Sequence, residues 1–356
     1  MLISMKNIAI FVSTLGSGGA EKQAALLAQV LAKHYMVHFV VLYGDAETSK
    51  LVMSILSKAK VSVYPLIGSQ KEKLKEYAKI LKENNVCCAF NYLTKCDFWG
   101  AVVEKRSVVK QIYNGIRNSK LDVYKTILEW VSHNFIATGT IFNCHSGEKA
   151  FQKKGFKKSK CITIPNCFPG ISETINRPPS DCPHIITVGR FVPQKDYETA
   201  IKAIAILKRT LKKFVFDICG YGNLEEQIRG WVKKYDVEDV VAFHIHSDSI
   251  PELLQRADIY LSTSLFEGTS NSIMEAMNWC LPVVATNVGD NYTLVKDGEN
   301  GYLIEVGDTD ALASRVKTLV INKDLCHIMG NKGNAFLHEN FSMEVFEERY
   351  LKVIER

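Results

Sequence analysis

The sequence predicts an α/β chain built from two parallel-sheet units joined by a linker, and three observations predict it. Short apolar or β-branched runs alternate with amphipathic helices from residue 7 to residue 113, a rhythm that implies βαβ units. The alternation begins again at residue 184. Between the two series, residues 170–183 are rich in Pro, Ser and Asn and have no periodicity, as expected of a linker.

Size and composition agree with this reading. A chain of 356 residues accommodates two domains of ordinary size, and 47% hydrophobic with 23% charged residues is a globular balance. The net charge of +6 favours anionic partners in general. No zinc-finger spacing and no basic repeat interleaved with aromatics is present, so nucleic acid is not an expected partner. The ten cysteines are scattered and form no C-x-x-C, which reads as free thiols in a reducing compartment. The apolar run at residues 8–12 is too short to span a membrane and runs straight into a glycine-rich loop. Neither a signal peptide nor a transmembrane helix is expected, which points to the cytoplasm, with peripheral contact at the inner face of a membrane.

In chain order, residues 7–13 read as the first strand, and the loop through Gly18 and Gly19 opens a helix over 21–33. Glu21 stands where a dinucleotide fingerprint needs its third glycine, so a dehydrogenase reading fails. Further strands are expected at 37–43, 61–64, 86–91 and 108–113, with helices at 72–84 and 98–105. The loop after the last of these strands carries Arg117 and Asn118, at the strand end where α/β proteins place ligands. A helix over 124–133, a short strand over 135–138 and another helix starting near Ser146 follow. Residues 153–160 form a basic run around Phe156, readable as contact with anionic lipid headgroups or as a solvated loop.

The second series starts with a strand over 184–188. Gly189, Arg190 and Lys195 occupy its following loop, and a helix runs over 196–208. Strands at 214–219 and 240–243 follow, the first ending in Gly220 and Gly222 and the second leading to His244, Ile245 and His246. No third metal ligand lies near the two histidines, so a metal site is not expected there. A short helix covers 251–256. Asp308 and Asp310 precede an apolar helix over 311–320 and read as its N-cap and acidic first turn. A last helix covers 343–354.

The richest stretch is residues 259–277. An apolar strand leads to Glu267, Gly268 permits a tight turn, and Thr269, Ser270 and Asn271 are competent N-caps. A helix carrying Ile273, Met274, Ala276 and Met277 follows and brings Glu275 about a turn in. A helix N-terminus offers unpaired N–H groups and partial positive charge to a phosphate, while carboxylates accept from hydroxyls. Arg190 and Lys195 add a planar fork and a point charge suited to a diphosphate. Together they suggest a nucleotide-sugar.

Glu267 and Glu275, with seven residues between them, resemble the E-x7-E element of the retaining nucleotide-sugar glycosyltransferases of family 4. The resemblance continues through residues 280–289 and recurs at 18–21 and at 188–196, in family order. Asn278, Cys280 and Asp290 depart from the family pattern, and the histidine that often touches the donor sugar has no counterpart. The resemblance implies the GT-B fold, two facing Rossmann-like domains with a cleft between them. Residues 1–168 would form the acceptor domain, 169–183 the linker, and 184–341 the donor domain, with the terminal helix (342–356) packing back on the first.

It also implies transfer of a hexose or N-acetylhexosamine from a nucleotide diphosphate sugar, UDP-linked, to a hydroxyl on a glycan or glycolipid acceptor such as a lipid-linked surface glycan. Arg190 and Lys195 would bind the leaving phosphate, Glu267 the sugar and Glu275 the ribose. Gly18, Gly19, Gly189, Gly220, Gly222, Ile245, His246, Gly268, Thr269, Ser270, Asn271 and Ile273 would line the donor site, with Arg117 and Asn118 on the acceptor side. The leaving phosphate would help deprotonate the acceptor, with no protein nucleophile, metal or cofactor. A nucleotide-sugar epimerase of the same fold and a non-catalytic sugar-nucleotide-binding subunit are the alternatives. Free isomer production would mark the first, while the four intact polar residues speak against the second.

Overall fold

The computed structural model describes residues 6–117, 121–171, 181–247 and 249–356. The chain divides into two compact units, Met1–Cys167 with Met343–Arg356, and Phe168–Ser342.

The first unit runs β1 (Asn7–Val12), α1 (Gly19–Leu31), β2 (Met36–Val41), α2 (Lys50–Lys58), β3 (Ser62–Pro65), α3 (Gln70–Glu83), β4 (Val86–Tyr92), α4 (Thr94–Lys105), β5 (Gln111–Ile116), α5 (Val123–Val131), β6 (Gly139–Phe142), α6 (His145–Gln152) and β7 (Cys161–Thr163). The strands form one parallel sheet in the order β3-β2-β1-β4-β5-β6-β7. Alternate residues of β1 serve opposite faces, as strand geometry requires. Ile8, Ile10 and Val12 pack with Ala24, Leu27 and Leu31 of α1, whereas Ala9 and Phe11 pack with Tyr77, Ile80 and Leu81 of α3.

The second unit runs β8 (His184–Val188), α7 (Tyr197–Lys208), β9 (Val215–Gly220), α8 (Glu225–Lys234), β10 (Val241–Ile245), α9 (Ile250–Arg256), β11 (Ile259–Ser262), α10 (Asn271–Asn278), β12 (Val283–Thr286), α11 (Asn291–Leu294), β13 (Gly301–Ile304), α12 (Thr309–Ile321) and α13 (Lys323–Phe341). Its parallel sheet has the order β10-β9-β8-β11-β12-β13. The last helix, α14 (Met343–Ile354), belongs to the first unit, where Phe346, Tyr350 and Val353 join the α1 face of the core. The order 3-2-1-4-5-6 defines a Rossmann-like unit, reproduced by the second sheet and extended by one strand in the first. Both sheets are covered on two faces, as parallel sheets require.

Two expectations shift. The strand expected at 108–113 is β5, three residues later, because Asn114 and Gly115 lie within the sheet. Asn114 donates to Ser132 Oγ at 2.7 Å, and the N–H of Gly115 donates to Asp97 Oδ1 at 2.8 Å. The strand expected at 135–138 is β6 at 139–142, because α5 continues into a π-helical turn over Ser132–Ile136, closed by Ala137 N–H on Ser132 O. Helices α2 and α13 were not expected from the pattern.

Beneath the β4 and β5 ends lies a buried polar network. Asp97, Glu104 and Glu129 are fully buried carboxyls. Tyr77 OH donates to Glu104 Oε1 at 2.5 Å and Asn91 Nδ2 to Glu104 Oε2 at 2.9 Å. Burial pushes all three carboxyls above their usual range, with the Asp97 charge adding to the rise at Glu129. For Glu104 the rise reaches about 7, opposed by the bonds from Tyr77 and Asn91.

A carboxyl raised in the folded state binds its proton more tightly there than in the unfolded chain. The stability it contributes is therefore complete below the unfolded value of 4.5 and is lost as pH rises through about 7. Urea unfolding midpoints should fall between about pH 5 and about pH 8. Glu104→Gln should abolish on the order of 3 kcal/mol of that fall. An equal fall in the variant would assign the titration to other groups.

Candidate functional site

In a Rossmann-like sheet the strand order reverses between its first and fourth strands, and the loops leaving those strands part to form a crevice. In the second unit these strands are β8 and β11, which pair through Ile185–Ile259 and Ile186–Tyr260. Residues 189–196 leave β8 and residues 263–270 leave β11. Gly189, Arg190, Lys195, Glu267, Gly268, Thr269 and Ser270 therefore all occupy the rim of one crevice.

Hydrogen bonds stitch the two loops together. Leu265 N–H donates to Gln194 O at 2.8 Å, and Gln194 Nε2 returns a bond to Phe266 O at 2.8 Å. The Thr263 hydroxyl bridges the carbonyls of Lys195 and Asp196, both at 2.9 Å. Lys195 Nζ meets Glu267 Oε1 at 2.6 Å, an ion pair whose side chains keep only 18% and 11% of their exposure. Ser264, fully buried, donates to the same Glu267 oxygen at 2.8 Å. Arg190 is exposed, and its guanidinium has no hydrogen-bond partner among the described residues.

The N-terminal start of α10 lies next along the chain. Its N-cap Ser270 makes no side-chain capping bond, and its hydroxyl lies 3.2 Å from that of Ser272. Asn271 is exposed at the first position, Ile273 is buried in the core, and Glu275 is half-buried one turn in. Asp196, with φ of 45°, caps α7 by accepting from Thr199 N–H and hydroxyl, which turns the Lys195 loop into its helix.

Gly220 and Gly222 sit at the end of β9 beside the Phe191 loop, and Ile245 ends β10. His246, with φ of 47°, stacks on the exposed Tyr221 ring at 4.4 Å between centroids. His244 is part of a different arrangement. Its Nε2 meets Asp217 Oδ1 at 2.6 Å, His184 Nδ1 meets Oδ2 at 2.7 Å, and Arg256 adds a contact at 3.2 Å. These partners hold the buried Asp217 carboxyl below its usual range despite its burial. Asp308 caps α12, accepting from Ala311 N–H at 2.9 Å. Among the described residues no group of three or more His, Cys, Asp or Glu side chains gathers as a metal would need.

The remaining expected residues lie in the first unit. Gly18 is the N-cap of α1 and Gly19 its first residue, on the loop leaving β1 at the corresponding reversal of the first sheet. Arg117 follows β5. Its guanidinium stacks over the Tyr92 ring at 4.5 Å and donates to Tyr350 OH of α14 at 3.1 Å, while Nε and Nη1 are buried without a partner among the described residues. Asn118 lies outside the described residues. Sequence reasoning missed Ser264, Gln194 and Thr263. Their only signal was position, as small or amide side chains at the carboxyl ends of strands.

The fold and rim define an α/β protein whose second sheet gathers two cations, a carboxylate and a helix start where its strand order reverses. Residues 172–336 match the model of the family described as glycosyl transferases group 1. The chain is similar to the putative glycosyltransferase EpsD of Bacillus subtilis, 31% identical over 39% of this chain and 36% of that protein. The chain thus spans about a third of that relative's length. It is also similar to a Campylobacter jejuni N-acetylgalactosamine-N,N'-diacetylbacillosaminyl-diphospho-undecaprenol 4-alpha-N-acetylgalactosaminyltransferase, 23% identical over 93% of this chain and 94% of that one. Among solved structures, Anabaena HepE in complex with UDP superposes with a TM-score of 0.83 at 18% identity, covering 99% of this chain and all of that one, a likeness of fold.

Gly289 shows how tightly this rim is built. It adopts φ of 55°, and a Cβ there would lie 2.0 Å from the carbonyl oxygen of Glu267. Gly289→Ala should displace Glu267, and a displacement near 1 Å costs about a hundredfold in catalysis. Steady-state kinetics should show this loss in kcat/KM, whereas an unchanged value would mean that the rim tolerates the shift.

Proposed function

We propose that the protein is a retaining glycosyltransferase of family 4. It moves a hexose or N-acetylhexosamine from a UDP-sugar to a hydroxyl of a lipid-linked surface glycan. One observation carries the reading, which is that the rim of the second sheet gathers Arg190, Lys195, Glu267 and the N-terminal start of α10. The Campylobacter relative's name specifies a diphospho-undecaprenol-linked acceptor, and HepE was solved with UDP, which supports these choices of acceptor and donor.

Breaking the glycosidic bond leaves negative charge on the diphosphate and positive charge on the sugar. Arg190, Lys195 and the α10 N–H groups stabilise the first, in an arrangement already fixed before the reaction. Glu267, held on one oxygen by Lys195 and Ser264, orients the sugar hydroxyls, and Glu275 binds the ribose. The leaving phosphate takes the acceptor proton, so no protein nucleophile takes part.

A panel of nucleotide-sugars tests the donor, since a ligand at a hundred times its Kd adds roughly 2.7 kcal/mol of stability. A UDP-sugar should raise the melting temperature most, and a panel without any shift would remove the reading. Arg190→Ala and Lys195→Ala should each cost on the order of a hundredfold in kcat with the fold intact. Losses below about threefold in both would dismiss the phosphate clamp.

The same cations stand where a metal would otherwise neutralise the diphosphate. Transfer from the preferred donor should therefore persist in excess chelator. Activity lost to chelator and restored by magnesium or manganese would overturn this part of the proposal.

A further inference from the structure

An outward apolar stripe in the first unit is left over from the site. Helix α5 presents Val123, Tyr124 and Ile127 at 77%, 71% and 55% exposure, and Phe135 in the following π-helical turn is 66% exposed. Positions 123, 127 and 135 recur near multiples of four, so they share one side of a continuous helical rod. Large exposed side chains gathered on one helix face mark an interaction surface rather than a random scatter.

The basic loop is bolted to this helix. Trp130 Nε1 and Asn134 Nδ2 both donate to Gly155 O, at 3.0 and 3.1 Å, and Lys157 N–H donates to Asn134 Oδ1 at 3.1 Å. Buried His133 completes the tie. Its Nε2 lies 3.1 Å from Lys157 O, which can only accept, so Nε2 carries the proton and Nδ1 accepts from Thr140 OH at 2.8 Å. Burial pushes the His133 imidazole down to about 4, which keeps this neutral form in place.

Of the five lysines in the run, Lys160 turns inward onto the carbonyls of His133, Asn134 and Ala137. Lys153, Lys154, Lys157 and Lys158 are exposed, and Lys157 Nζ lies 5.7 Å from the centre of the Phe135 ring. The run contains no acid, and Asp122 at the start of α5 is paired with Lys125 at 2.8 Å.

We propose that α5, Phe135 and the loop at 153–158 form one docking face for an anionic bilayer surface, with the aromatic and aliphatic side chains entering the headgroup boundary and the four lysines engaging lipid phosphates. An amphipathic helix rimmed by lysines suits that boundary, where apolar burial and charge attraction add. A second copy of this chain suits it poorly, because two lysine rims would face each other across the contact. The proposal does not depend on the donor assignment.

The test is co-sedimentation of the full chain with vesicles of phosphatidylcholine, alone or mixed with phosphatidylglycerol. Two variants accompany the parent. One changes Lys153, Lys154, Lys157 and Lys158 to Ser, and the other changes Tyr124, Ile127 and Phe135 to Ser. All these positions are exposed, so the melting temperature should stay unchanged. The parent should bind the mixed vesicles, and each variant should bind at least about tenfold more weakly. High salt should release the parent, as the screening length contracts. Equal binding to both vesicle types, or variants that bind like the parent, would overturn the proposal. So would concentration-dependent dimerisation in sedimentation velocity that the apolar variant abolishes, since that would identify a second copy as the occupant.

Discussion

The second unit depends on the ion pair between Lys195 and Glu267 across the reversal point of its sheet. Lys195 ends the loop from β8, and Glu267 stands in the loop from β11. Parallel strands diverge in their connections at that point, so the two loops have no ladder to hold them together. The pair, the Gln194 and Thr263 bonds and the Ser264 hydroxyl take the place of a ladder. Most of the exposure of both charges is already lost, so much of their desolvation cost falls on folding rather than on ligand binding. An arriving diphosphate would find Lys195 positioned, and a sugar would find Glu267 with one oxygen already engaged. Preorganisation of this kind is what gives electrostatic stabilisation its value in a transition state.

Arg190 behaves differently because it faces solvent without a protein partner among the described residues. A guanidinium that pays no prior pairing can give its planar fork to a phosphate without first breaking a bond. The rim thus combines one cation fixed by folding with one that faces solvent.

Much of this was legible in the sequence, and what was not has physical causes. The alternation of apolar runs marked most strands of both sheets, because buried parallel strands leave little room for polar residues. Helix α13 escaped the pattern, and it carries Gly330 and Gly333, which are poor helix formers. A Cβ at Gly330 would lie 2.0 Å from Cys280 O, so the helix needs glycine there to approach that backbone. Helix α2 escaped because only Val52 and Leu56 of its nine residues are buried. The displacement of β5 came from Asn114 and Gly115, whose poor strand propensity is overridden by buried hydrogen bonds. At the site, E-x7-E, Arg190 and Lys195 announced themselves by charge and spacing. Ser264 and Gln194 did not, because their importance lies in which loop they reach.

The largest illegible feature is the buried charge of the first unit. The sequence pattern did not single out Asp97, Glu104 or Glu129, yet all three are enclosed. Asp97 Oδ2 and Glu129 Oε2 are both buried without a donor among the described residues, and the two carboxyls interact. Two acceptors in contact satisfy each other only by sharing a proton; burial raises both carboxyls, the Asp97 charge adds to the rise at Glu129, and the bond with Glu129 opposes the rise at Asp97. The shared proton leaves one negative charge, and the Arg117 guanidinium lies close enough to lower the Asp97 carboxyl. Arg117 in turn stacks on Tyr92 and donates to Tyr350, so the charge balance of the network extends into α14. The terminal helix is thus joined to the first unit through polar chemistry as well as through Phe346 and Val353. A hydrophobic contact alone would have tolerated rotation of that helix, whereas a directed bond to a buried guanidinium fixes its register.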